Sequence, residues 1–187
     1  MSYHEPLFET RFILKQPPQD ERIKKAIAWG RLLSEQGFCP SYGKGSHGNL
    51  SFRTRSGMII TATQTDMGQL TTEDFVEVTG CEGKGPHVVV SCKGKKIPST
   101  DTLIHFEIYQ KRSNIHAHDQ DVVDDAPRVQ FPQTAHEKPS GSLELFHEIE
   151  PLLHYDYIVI QQHGVLSLGK TLEDAGKSIL VRHNEVL

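Results

Sequence analysis

The sequence predicts an α/β fold, one domain in which antiparallel strands are followed by helices that cover the sheet. Three observations carry that expectation. Between residues 49 and 92 lie four short segments rich in β-branched residues, separated by Gly, Asp and Lys turns. Stretches with apolar residues at helical spacing stand before and after them. The 187 residues suffice for one ordinary core and are few for two, and they contain no repeat, linker or low-complexity tract.

In chain order, residues 1–19 form a polar lead-in containing Pro17 and Pro18. The stretch "DERIKKAIAWGRLLSEQG" then places Ile23, Ala26, Ile27 and Leu33 near helical spacing and stops at Gly37. A Gly-rich loop, "YGKGSHG", leads into "NLSFR", "MIITAT", "FVEVTG" and "HVVVSC", which read as successive strands joined by hairpins. "STDTLIHFEIYQKRS" reads as a helix capped by Ser99 or Thr100, with Leu103, Ile104 and Ile108 as its apolar face. "NIHAHD" follows as a strand, and a polar, Pro-containing loop runs from it to a helix in "GSLELFHEIEPLL". A strand in "YDYIVIQQ", a turn at His163-Gly164, a strand in "VLSL" and a helix from Thr171 complete the layout.

Composition narrows the function classes. A formal net charge of −4 and a pI near 6.2 offer no basic surface to nucleic acid or an anionic membrane. The start, "MSYHEPLFETRFILK", lacks the apolar run of a signal peptide, and no window approaches the roughly 18 apolar residues of a membrane span. A soluble, cytoplasmic protein acting on a small molecule is expected. Cys39, Cys81 and Cys92 are odd in number and lack CxxC spacing, so they read as reduced thiols.

The 11 histidines are many for this length, and two of them flank Ala117 in "HAH". On a strand, residues two apart share a face, so His116 and His118 can point together at one ion. A His-x-His pair alone is equally compatible with two imidazoles bonded to backbone or water. His163 is the best third ligand, since it ends a strand and precedes Gly164, where the chain can turn sharply. A different motif, "GKGSHG" at 43–48, satisfies the G-x-G-x-x-G dinucleotide pattern. That fingerprint must follow a strand and open a helix, whereas this loop follows a helix and opens a strand. A plain loop, or a backbone nest able to approach one phosphate, suits it better.

Four blocks in order, "GNLSFR" at 48–53, "ITATQTDMGQLTTEDFVEV" at 60–78, "IPSTDTLIHFEIYQKRSNIHAHD" at 97–119 and "QQHGVLSLGKTLEDA" at 161–175, resemble the class II aldolase/adducin family. That family includes zinc-dependent sugar-phosphate aldolases and 4-epimerases, and the resemblance covers most of the chain from about Ile23. It implies a three-layer α/β/α sandwich with a central, largely antiparallel sheet, in a homotetramer with active sites between subunits. It also implies His116, His118 and His163 as metal triad, with Zn2+ the first choice of divalent metal, and Asp101 as the catalytic acid–base group or a further ligand. Asn49, Thr63, Ser99 and Thr100 fall on the substrate-phosphate positions, although each could also serve as a turn former or cap. A carboxylate at the start of a helix, such as Asp101, is by position alone more often structural than catalytic.

The implied reaction is metal-dependent aldol cleavage of a small hydroxy-carbonyl compound, a sugar phosphate, through a metal-stabilised enediolate; the alternative is a 4-epimerase, which uses the same cleavage followed by re-addition on the same metal scaffold. "PSTDT" is closer to the epimerase version of the motif, and decarboxylases and dehydratases of the superfamily share the scaffold. An adducin-like binding module without chemistry is the reading from another class. This chain departs from the family in carrying Ala62 and Gln64 where Pro and Gly are usual, and in a shorter stretch between His118 and His163. A mid-chain acid or tyrosine and a closing C-terminal tyrosine have no counterpart in these 187 residues, so an open pocket is expected.

Overall fold

The strands take their positions from alternation, and the helices from the apolar faces that alternation leaves on each side of the sheet. The computed structural model describes residues 5–83, 87–109 and 112–187. Its strands are β1 (Glu9–Leu14), β2 (Asn49–Arg53), β3 (Met58–Thr61), β4 (Phe75–Glu82), β5 (Val89–Lys93), β6 (Ser113–Ala117), β7 (Tyr157–Ile160) and β8 (Gly164–Gly169). They form an eight-stranded sheet in the order β1-β5-β4-β3-β2-β6-β8-β7. β1 runs parallel to β5, while the pairings from β5 through to β7 are antiparallel.

Helices α1 (Arg22–Glu35), α3 (Gln120–Val129) and α5 (Leu172–Asn184) cover one face. There Ile23, Ala26 and Leu33 of α1 and Ala175 and Ile179 of α5 pack on Leu50, Phe52, Ile115, Ala117 and Val165. Helices α2 (Thr102–Ile108) and α4 (Leu143–Ile149) cover the other, where Ile104, Ile108, Leu145 and Ile149 pack on Ile158, Ile160, Leu166 and Leu168. The result is the three-layer α/β/α arrangement with a largely antiparallel sheet. Among the described residues no helix is long and apolar enough to cross a membrane. The three cysteines are free, and burial pushes the Cys39 thiol up to about 12.

Three elements differ from the sequence expectation. Part of the polar lead-in forms β1, an edge strand of which only alternate residues are half-buried, so it is held by backbone pairing more than by an apolar face. The loop expected after "HAH" contains α3. Its N-cap Asp119 accepts from the Val122 amide at 3.2 Å, and Val122 and Ala126, one turn apart, are buried. Pro127 sits near the C-terminal end and forfeits one intrahelical bond, that of its own missing N–H. Finally, the N-cap of α2 is Asp101, not Ser99 or Thr100. The end of the segment read as that helix includes residues 110 and 111, which lie outside the described residues, and Ser113 already belongs to β6.

Candidate functional site

Alternation assigns a function to each side of β2 and β6. Leu50, Phe52, Ile115 and Ala117 face the α1/α5 layer, so Asn49, Ser51, Asn114 and His116 face the α2 layer. The antiparallel register sets Asn49 opposite His116 and Ser51 opposite Asn114. A polar seam therefore crosses an otherwise apolar layer beneath α2.

At its open end the three histidines meet. Their ligand atoms all lie within 4.8 Å of one another, and the Nε2 atoms of His116 and His118 are 3.1 Å apart. Two nitrogens on one tetrahedral zinc would stand about 3.3 Å apart, from Zn–N lengths of about 2.0–2.1 Å. His116 Nδ1 donates to the Val165 carbonyl at 2.9 Å, which leaves Nε2 with its lone pair toward the cluster. His118 lies just beyond β6, where its amide donates to the Phe38 carbonyl at 2.8 Å. Burial pushes its imidazole well down, and His116, His163 and His47 add to the shift, so the ring is neutral as a metal ligand must be.

His163 reaches the cluster from the β7–β8 turn, and here Gly164 acts differently from the expectation. The left-handed residue of the turn is Gln162, at φ 56°. Gly164 instead permits close approach: a Cβ there would strike the Ala117 carbonyl and meet His116 Cε1 at 3.1 Å.

Asp101 is 6 % exposed, and as N-cap its side chain makes no capping bond. Oδ2 accepts from Asn49 Nδ2 at 2.6 Å and Oδ1 from Ser140 Oγ at 3.2 Å. The helix terminus is served by Ser99, whose Oγ accepts from the Asp101 amide at 3.3 Å. Position alone favoured a structural aspartate; this one spends its carboxylate on the site. Burial opposes its ionisation, but the adjacent His116, His163 and His105 and the Asn49 amide hold its carboxyl below the usual carboxylate range.

The cleft over these groups has a volume of ≈ 500 Å³, in the range of small-molecule sites. Thr63, Ser99 and Thr100 line it with Asn49, so the sequence-derived set converges in one place. Sequence reasoning missed His47, whose ring centre lies 4.5 Å from that of His118, and the wall made by Lys138 and Ser140. The first was legible in outline, since the Gly-rich loop was set aside as a dinucleotide motif yet forms a rim of the cleft. The wall comes from the stretch between His118 and His163, where no motif marks it. Gln64, one of the two departures noted from the family pattern in the sequence, holds φ 54° and lines the cleft as well.

A family model for the class II aldolase and adducin N-terminal domain matches residues 24–123, more than half of the chain. The chain belongs to this family. Two relatives are each 28 % identical to it. Methylthioribulose-1-phosphate dehydratase of Pseudoalteromonas translucida aligns over 88 % of this chain and 86 % of its own. L-fuculose phosphate aldolase of Methanococcus maripaludis aligns over 78 % and 83 %. Among solved structures, a sugar-phosphate aldolase from Thermotoga maritima superposes with a TM-score of 0.71 at 17 % identity, covering 89 % of this chain and 92 % of that one. L-fuculose-1-phosphate aldolase from Thermus thermophilus gives 0.68 at 20 %, covering 88 % and 90 %. The class II aldolase fold is thus shared along nearly the whole chain. Enzymes of this family generally depend on a divalent metal. The matched segment takes in Asn49, Asp101, His116 and His118, while His163 lies beyond it and joins them only through β8 pairing with β6.

One pH effect follows from this cluster of buried groups. Burial pushes the His105 imidazole down to about 4, against the pull of Asp101 and with His116 adding to the drop. His105 is therefore neutral in the fold but takes a proton on unfolding below the ordinary imidazole value of 6.5. Its contribution to stability is full above that pH and is lost as pH falls toward about 4. Urea unfolding of metal-free protein should show this loss, and His105→Gln should flatten the slope by up to one proton, about 1.4 kcal/mol per pH unit. An unchanged slope would show that His105 titrates normally in the fold.

Proposed function

We propose that the protein is a divalent-metal-dependent lyase that breaks a carbon–carbon bond in a small hydroxy-carbonyl substrate, a ketose phosphate. The observation that carries this reading is the meeting of three histidine ligand atoms within 4.8 Å in the same cleft as a carboxylate not used for capping. His116, His118 and His163 would hold the cation, zinc by preference of a tris-imidazole set. When bound, it supplies a Lewis acid that stabilises negative charge on the substrate oxygens.

The protein's own groups do the rest. Asp101, ionised at rest, would take the proton from the hydroxyl whose carbon leaves as the aldehyde and deliver it to the other fragment. The Asn49 amide fixes the direction of its Oδ2. Thr63, Ser99 and Thr100, with the remaining donor of Asn49, would receive the phosphate. By family resemblance the enzyme would be a cytoplasmic homotetramer with sites between subunits.

Dehydration is the second reading, favoured by the methylthioribulose-1-phosphate dehydratase relative. Both named relatives act on ketose phosphates and differ in the bond broken. Metal-loaded protein incubated with a panel of ketose 1-phosphates, followed by mass spectrometry, separates the two. Cleavage yields dihydroxyacetone phosphate and an aldehyde, and dehydration yields a single product lighter by one water. An isomer of unchanged mass, resolved from the substrate by chromatography, would indicate epimerisation. No turnover with metal bound would leave the fold as a binding module.

A further inference from the structure

Beneath α2 the polar seam has a second rung that the proposed chemistry does not use. Asp101 and His105 stand one helical turn apart, with the His105 amide donating to the Asp101 carbonyl at 3.0 Å. Asn49 and Ser51 stand two residues apart on the facing side of β2. The two spacings match, so Asn49 bonds Asp101 at 2.6 Å and Ser51 bonds His105 at 2.7 Å.

The second rung fixes where the His105 proton lies. Ser51 is fully buried, and its Oγ accepts from Asn114 Nδ2 at 3.4 Å. Among the described residues, the acceptor within reach of the Ser51 hydroxyl proton is His105 Nδ1. The imidazole then carries its proton on Nε2. That atom is buried and has no hydrogen-bond partner among the described residues. The ring lines a cavity of ≈ 10 Å³ whose walls also include Asp101, His116 and His163, while Ser51 is not part of those walls. Such a volume holds about one water. A histidine that merely filled space would leave a donor buried at a cost that Leu or Phe would avoid.

We propose that His105 is a positioning residue for Asp101: held as the Nε2–H tautomer by Ser51, it orients the carboxylate through one enclosed water at the back of the site. The water accepts from Nε2 and donates to Asp101, giving the carboxylate a support from the protein side that complements Asn49 and Ser140. This rests on the reading of Asp101 as proton carrier.

Two measurements test it. In metal-free protein labelled with 15N at histidine, long-range proton–nitrogen correlation should show His105, assigned by its loss in His105→Gln, as the neutral Nε2–H tautomer near pH 7. An Nδ1–H tautomer or an imidazolium overturns the inference whatever the activity. In metal-loaded protein, Ser51→Ala should lower kcat about 10-fold, the scale of a lost supporting contact, with KM, metal content and melting temperature little changed. His105→Leu should lose more, His105→Gln should recover most of that loss because its amide keeps a donor, and Ser51→Ala should add nothing in the His105→Leu background. Additive losses, or no recovery by Gln, would overturn the coupling. Loaded wild type without turnover on any ketose phosphate sinks the parent reading and this inference together; an active wild type with the wrong tautomer sinks this one alone.

Discussion

His118→Ala, purified without added metal, is expected to carry almost none, against near one equivalent per subunit in the wild type by plasma mass spectrometry. The reason lies in how the site is shared. The three imidazole nitrogens meet within 4.8 Å, and the group has no fourth protein ligand at that range among the described residues. Free energies of metal binding are of the order of 10 kcal/mol or more, so removing one of three ligands should lower affinity by about 100- to 1000-fold. Turnover should fall in parallel. Since His118 lies beyond the end of β6 and is only partly buried, its truncation should cost little stability, which a thermal melt would confirm. Full metal content in His118→Ala would remove it from the ligand set and turn attention to His47 beside it.

Asp101→Asn should separate metal binding from proton transfer. The amide has the shape of the carboxylate, and by turning over it can still accept from Asn49 and meet Ser140, so the surroundings need not rearrange. Metal content should stay near the wild-type level. Activity should fall by about 100- to 10,000-fold, the range for losing a positioned acid–base group. A variant as active as the wild type would exclude Asp101 as the proton carrier. A variant that loses metal as well would show that the carboxylate serves as a ligand.

The strands β2 to β5 were legible because their β-branched runs are bounded by turn residues, and α1 and α5 because their apolar residues recur at helical spacing. β1 was not, since an edge strand held by pairing with β5 needs few apolar residues. Pro127 hid α3, where an Asp119 cap and two buried residues outweigh one lost bond. In the site, residue types were readable and their surroundings were not. Asp101 looked like a helix-start carboxylate until Ser99 proved to serve the terminus in its place. His105 is buried, and its pairing with Ser51 depends on how α2 lies over β2.

From the sequence alone came the family resemblance, the histidines that share one face of a strand, and an acid one helix upstream of them. These follow from local rules: a period of two along a strand, a period near 3.6 along a helix, and the short motifs built on them. The tertiary structure alone decided how His163, the third histidine the sequence offered, is brought within 4.8 Å of the pair, that Asn49 holds Asp101 across 52 positions of chain, and that a loop between His118 and His163 closes one wall. Those meetings depend on the order β2-β6-β8 and on the register between the strands. Strand order and register are set by which pairings bury the most apolar surface while satisfying the backbone, a property of the whole sheet that no single segment encodes.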